Sequence, residues 1–377
     1  MKIALIASGF ALIFCMNTLV LAGVSKNTLA ILVNENDPES IEIARYYQKA
    51  RLITQDNVIY LKFRSAGVAL SEAEFADVSA QLASKIVKKD IQAFALAWRR
   101  PWRVSCMSIT SAFSLGFDRA FCSKGCKLTK KTGYFNSQSQ QPFEDFALRP
   151  SMLLSASSVA SVKKLIDRSV SADYQRPIGS AYLLSTSDKH RNVRAAQFPL
   201  YAKSLYRLMS VEQVFADALR HKQDVMFYFT GRSSVKYLDE NVFLPGSIAD
   251  HLTSAGGHLF NGNQMSIVEW IDAGASGSYG AVVEPCNYLQ KFPNPGIVMQ
   301  KYLSGETLVE AYWKSVQMPG QGLFVGDPLV APFKGCKVSA NGQGVFQYKK
   351  NKVRNFVEKK NRNCGFYNSH LKVKGKN

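Results

Sequence analysis

Four side chains in the second half of the chain have the types and spacing for acid–base or nucleophilic chemistry: His251, Ser254, Glu284 and Asp327. His251 and Ser254 are three residues apart, close enough to share a helix face as a base and a hydroxyl nucleophile. Asp250 precedes His251, but one short helix cannot point adjacent side chains at each other, so the three do not make a triad. Glu284 and Asp327 each follow a short apolar run, a place where carboxylates can face a crevice. The competing reading makes them turn residues, one before Pro285 and the other in Gly326-Asp327-Pro328. His190, His221, His251, His258 and His370 show no two-ligand spacing on a helix face, so no metal is expected. Gly274 to Gly280 is glycine-rich but lacks a following Lys-Ser/Thr and precedes a strand, so it is not a phosphate loop. No cofactor is expected.

The elements that must position these residues read as alternating strands and helices. Leu29 to Val33 is a strand buried on both faces, and Asp37-Pro38 starts a helix with Ile41, Ala44, Tyr47 and Ala50 on one side. Asn57 to Leu61 is the second strand, Glu72 to Lys89 a helix, and Ala93 to Trp98 a third strand ending at the basic cluster Arg99 to Arg103. That cluster either meets an anion or is a solvated loop. Strand, capped helix, strand argues for a mostly parallel sheet flanked by helices, an α/β fold.

Residues 104–150 lack periodicity and read as a disulfide-containing excursion. Strands follow at Met152–Ser155 and Ser180–Leu184, with a helix over Val159–Val170 capped by Ser157 or Ser158. A helix around Val211–Leu219 leads to the strand Gln223–Phe229, which stops at Thr230-Gly231.

Beyond it, Ser247-Ile-Ala-Asp250 has the form of a capping box for a short helix to Ser254, which gives Asp250 a structural role. His258–Phe260 then reads as a brief strand, and Ser266 to Glu269 as a second capping box ended by Gly274. Ser278–Val283 is a strand, Ser304 caps a helix with an apolar face, and Leu323–Val325 is the last strand.

Residues 1–22 have the form of a secretory signal peptide, with Lys2, an apolar Ile3–Leu21 and small residues for cleavage after Ala22; the competing reading is an uncleaved anchor. No later stretch is long and apolar enough to span a membrane. The expected location is periplasmic or secreted. The exported chain would keep Cys106, Cys122, Cys126, Cys286, Cys336 and Cys364, up to three disulfides with fifteen possible connectivities, of which Cys122–Cys126 is the local pair. The expected organisation is a signal peptide (1–22), an α/β domain (23–347, in halves of about 23–200 and 201–347) and a basic tail (348–377).

A net charge of +19 implies attraction to acidic partners, such as an acidic polysaccharide or the envelope surface. The tail from Tyr348 carries ten Lys/Arg against Glu358 alone, a solvated extension. No nucleic-acid recognition motif is present, and no specific nucleic-acid binding is expected.

Several segments together resemble a bacterial family found alongside exosortase-type (PEP-CTERM) protein-sorting systems. They are Asn34 to Ser40, Phe243 to Ser254, Gly274 to Tyr288, Gly305 to Ser315 and Gly320 to Leu329, within a similarity covering most of residues 28–333. The resemblance implies an exported protein tied to surface-protein sorting or extracellular matrix, with exported sorting substrates as partners, and it carries no established reaction. A more distant likeness is to gingipain-type and caspase-like cysteine peptidases, implying a caspase-like (gingipain-like) three-layer sandwich. In those proteins one strand ends in His-Gly, the next in a catalytic Cys, and a late Gly-Asp-Pro closes the domain. Here the first position reads Thr230-Gly231 and the second falls near Phe260-Asn261-Gly262, so both members of the dyad are missing. Thr230, Gly231, Asn261 and Glu284 would then form the rim of an emptied site, and acyl transfer needs a thiolate with its base. The three functional expectations are a non-catalytic accessory, a hydrolase using His251, Ser254, Glu284 and Asp327, and a binding module whose positive charge and basic tail hold an acidic polysaccharide.

Overall fold

The computed structural model describes residues 23–86, 90–123, 125–260, 262–334, 336–338 and 344–346. Residues 1–22, where a signal peptide is expected, the basic tail, Asn261 and Cys364 lie outside the described residues.

Strand β1 (Leu29–Asn34) is buried along its whole length. Asp37 caps α1 (Pro38–Arg51), its carboxylate accepting from the Glu39 amide at 3.0 Å while Pro38 supplies a preset φ in the first turn. Strand β2 (Val58–Leu61) follows, then the short β3 (Ala69–Leu70) and α2 (Glu72–Lys85), opened by a Ser71–Glu74 capping box. After β4 (Ala93–Leu96), β5 (Arg103–Val104) and β6 (Met107–Ser108) join β3 in a small separate sheet. Helices α3 (Ile109–Leu115) and α4 (Pro142–Phe146) lead to β7 (Ser151–Leu153), and Ser158 caps α5 (Val159–Ala172). The second part contains β8 (Ser180–Ser185), α6 (Phe198–Leu205), β9 (Ser210–Phe215), β10 (Val225–Thr230) and β11 (Phe243–His251). It continues through α7 (Ile267–Asp272), β12 (Gly277–Ala281), α8 (Pro295–Leu303), α9 (Leu308–Ser315) and β13 (Gly322–Gly326). A short hairpin, β14 (Cys336–Val338) and β15 (Gly344–Phe346), ends the description.

Ten strands form one sheet in the order β2-β1-β4-β7-β13-β12-β11-β10-β8-β9. It is mostly parallel, and β12 and β13 pair antiparallel, Gly277 opposite Gly326 and Ala281 opposite Gly322. Helices cover both faces, as the alternation in β10 makes plain. Phe227 and Phe229 stack on one face, where Phe227 meets Tyr302 of α8, while Tyr228 between them meets Trp270 of α7 edge-on at 4.9 Å. With both faces covered, the central strands are apolar throughout rather than alternating. Helix, sheet and helix make the three layers expected for this α/β fold. Among the described residues no helix is long and apolar enough to cross a membrane.

Several expectations are overturned. Residues 211–215 are an edge strand, not a helix: Val211 and Val214 mimic helical spacing, but the backbone pairs with β8 from Ser180–Ser210 to Ser185–Phe215. The Ser247–Asp250 pattern lies inside β11, where Ile248 to His251 pair with Phe227 to Thr230 of β10. The amides a capping box would satisfy are taken by the sheet ladder, and Ser247 is fully buried. Residues 258–260 form a turn, with the His258 amide on the Ala255 carbonyl, rather than a strand. Thr307, not Ser304, caps α9, because Thr307 has Glu310 three residues on and Ser304 closes α8. Cys122 and Cys126 do not join each other. Cys106 pairs with Cys122 and Cys126 with Cys286, so the excursion is pinned at both ends of this stretch.

Candidate functional site

The loops that leave the carboxyl ends of β8, β11 and β12 enclose a crevice of about 320 Å3, lined by His190, Arg191, Thr253, Ser254, Glu284 and the Cys126–Cys286 bridge. This is where parallel α/β sheets place ligands, because the loops leaving successive strands diverge there. Arg191 enters from the loop after β8. Its guanidinium takes Asp188 at 3.0 Å and donates through Nε to Thr253 Oγ1 at 3.1 Å. Burial pushes the Asp188 carboxyl up, but its bonds to Arg191 outweigh that and hold it below the usual range. Thr253 Oγ1 donates to Gln264 Oε1 at 2.7 Å, and that oxygen also accepts from the Ala255 amide at 2.9 Å. The loop carrying Thr253 and Ser254 is therefore braced at its base.

Glu284 is exposed on the opposite wall. Its Oε1 accepts from the Cys286 amide at 2.7 Å in a turn where Cys286 has φ 54°, a conformation that Pro285 and the disulfide help to hold. The turn reading of Glu284 and the crevice reading are both satisfied.

Gly231 owes its identity to packing. A Cβ there would stand 1.9 Å from the Arg191 carbonyl oxygen, since the start of the 3-10 helix Asn192–Gln197 crosses the end of β10 at that point. Thr186 donates its hydroxyl to the Gly231 carbonyl at 2.8 Å. Thr230 is buried beside a charge pair: Arg194 binds Asp250 Oδ1 at 2.6 Å and the Thr230 carbonyl at 2.6 Å. Burial raises the Asp250 carboxyl and Arg194 opposes that shift, so the aspartate serves as a structural counter-ion beneath the crevice.

His251 does not join the site. One residue along β11 from Asp250, it points to the other face, where Nδ1 accepts from Trp270 Nε1 at 2.8 Å and Nε2 donates to the Met265 carbonyl at 3.1 Å. Both ring nitrogens are committed, and burial lowers the imidazole to about 4. Because β11 is a strand, the helix face that would have brought His251 to Ser254 does not exist.

Asp327 is likewise elsewhere. As β13 runs against β12, Asp327 leaves the sheet where β12 begins, its amide on the Ser276 carbonyl, whereas Glu284 lies where β12 ends. Asp327 is fully buried among Tyr47 Oη at 2.7 Å, Arg51 Nε at 2.9 Å and the Leu329 amide at 3.0 Å, and Arg51 also pairs with Asp173. The basic cluster after β4 is absorbed by packing as well: Arg99 binds Glu39 and the Ala156 carbonyl, and both Arg99 and Arg100 stack on Phe260.

The structure thus lines one crevice with both Ser254 and Glu284, leaves Thr230 and Gly231 outside that lining, and places His251 and Asp327 elsewhere. The sheet strand beside β10 ends at His251 and is followed by Leu252-Thr253, so Phe260 does not end that strand. Sequence reasoning missed His190 and Arg191. Their signal was the loop that follows Ser180–Ser185, since it leaves a parallel strand at its carboxyl end. Among the described residues no His/Cys/Asp/Glu group is arranged to hold a metal.

No family model matches this chain, and no curated protein matches it. It is similar to a solved structure titled "Structure of Protease", at 12% sequence identity and a TM-score of 0.45, over 84% of this chain and 80% of the other.

Proposed function

We propose that this chain is an exported accessory protein of a surface-protein sorting or exopolysaccharide-associated system, which binds a ligand in the carboxyl-edge crevice without cleaving it. The observation that carries this reading is the chemistry at the ends of β10 and β11. The chain places Thr230 and Leu252-Thr253 there, the adjacent imidazole of His251 is bonded through both nitrogens, and Cys126 and Cys286 are joined to each other. A thiolate with an imidazole base, the minimum for cysteine acyl transfer, cannot be assembled from these groups. The disulfides suit an oxidising compartment. The surplus of cations suits acidic envelope material, with binding that weakens as salt rises. The mature protein, titrated with acidic exopolysaccharide and with peptides from exported proteins, is expected to bind one class and leave it intact. Turnover that is lost in Thr253→Ala would overturn the reading.

A second reading, a hydrolase, is favoured by one observation: Ser254, His190 and Glu284 line a single crevice. It requires Ser254 to be nucleophilic, so a fluorophosphonate probe should label it. Absence of labelling on folded protein rejects it.

A further inference from the structure

Gly23 and Val24 are packed against α9. Val24 is buried, and its amide donates to Glu310 Oε1 at 3.2 Å. A Cβ on Gly23 would stand 2.5 Å from that same oxygen, so a side chain there would require the Glu310 carboxylate to shift. Glu310 is 2% exposed, and its Oε2 accepts from the Thr307 amide at 3.0 Å and the Thr307 hydroxyl at 2.6 Å. All three of these donors are neutral. Lys314, one turn along α9, pairs with Glu306 at 2.8 Å, and Lys301 lies 3.9 Å from the other Glu306 oxygen. A buried carboxylate held by neutral donors is short of a cation.

We propose that hydrolysis of the Ala22–Gly23 peptide bond supplies that cation, making Glu310 the docking site for the chain's own new N-terminus. The step consumes one water: the new carboxylate stays on Ala22, and the nitrogen released on Gly23 takes up a proton as an ammonium. The Gly23 nitrogen is two bonds from the Cβ position that lies 2.5 Å from Oε1, which puts it within about 5 Å of the carboxylate. Before cleavage it is a neutral amide, so the ion pair belongs to the processed form alone. The proposal rests on the exported reading above.

The sign of the pH dependence follows from the pairing. A carboxylate partner raises the amine's pKa in the folded state, so the added stability is complete below the unfolded value of about 8 and is lost as pH rises through the folded one. Tyr134, Lys301, Glu306 and Lys314 belong to the same cluster, and burial pushes Glu306 up to about 7. All four are present in every form compared, and the Glu310→Gln background separates the part of the difference that passes through Glu310 from the part carried by these neighbours.

The test compares exported protein with a form whose cleavage point is moved so that Ala22 remains as an extra first residue. Intact mass is expected to show Gly23 as the first residue. At pH 7 the Ala22-retaining form should melt about 3 °C or more below it. The gap should close above about pH 10, as the amine loses its proton, and should be absent in a Glu310→Gln background. A different first residue overturns maturation at this bond. Gly23 as first residue with equal melting of the two forms overturns the ion pair, and that comparison needs no substitution in the folded body.

Discussion

Glu284 and Asp327 look alike in sequence, each an acid just past a short apolar strand, yet they occupy opposite edges of the sheet and opposite chemical settings. Glu284 is exposed on a crevice wall and is restrained by one local amide, that of Cys286. Asp327 is fully buried and held by Tyr47, Arg51 and the Leu329 amide, with Asp173 on the same arginine. The antiparallel pairing of β12 and β13 causes the separation, because the end of one strand is the beginning of the other. Position after a strand therefore marks a functional acid only when the strand's direction is known. Burial and partners then decide the role.

This contrast can be broken by substitution. Asp327→Ala leaves Arg51 buried with Asp173, itself mostly buried, as its remaining partner and should destabilise the fold by about 3–5 kcal/mol, read from denaturant unfolding. A loss below 1 kcal/mol would mean that the network is not load-sharing as described.

His251 should show its burial through pH. Its folded value of about 4 is depressed from the ordinary 6.5, so it adds stability that is complete above 6.5 and falls away toward 4. Protonating it in place costs about 3 kcal/mol. Glu306, pushed up to about 7, has the opposite slope over part of that range. The difference between wild type and His251→Gln isolates the histidine and should shrink as pH falls from 6.5 to 4. A difference that does not change with pH contradicts a neutral, doubly bonded imidazole.

Gly231→Ala should cost about 1–3 kcal/mol, since backbone must move to admit the methyl group. If the variant is as stable as wild type, the crossing of Arg191 over β10 is looser than described. Glu284→Gln should change stability by no more than about 0.5 kcal/mol, as expected for an exposed acid, while removing a negative charge from the crevice wall, so that an acidic ligand is held more tightly and a cationic peptide more weakly. Equal ligand binding by this variant would remove Glu284 from the site.

Much of the sheet could be read from local signals. Asp37-Pro38, Ser71 with Glu74, Ser158 and Ser266 with Glu269 all cap helices because a cap is satisfied within three residues of itself. The failures share a cause in long-range partners. Ser247-Ile-Ala-Asp250 carries the same local pattern, but β10 supplies the ladder and Arg194, 56 positions earlier, takes the carboxylate. Cys126 passes over Cys122 for Cys286, at a sequence separation of 160, which no spacing rule reveals. At the site, Glu284 could be found because it follows a strand, whereas Ser254 was singled out on a helix that the structure replaces with β11. His190 and Arg191 were hidden by a loop whose partners, Thr253 and Gln264, belong to a different strand connection.

The central claim is that the crevice binds without cutting, and a peptide-cleavage measurement tests it most directly. The purified protein, with its disulfides intact, is incubated with a diverse peptide library, and new termini are read by mass spectrometry. The account predicts none above a heat-denatured control. New termini that vanish in Thr253→Ala or Ser254→Ala would contradict it.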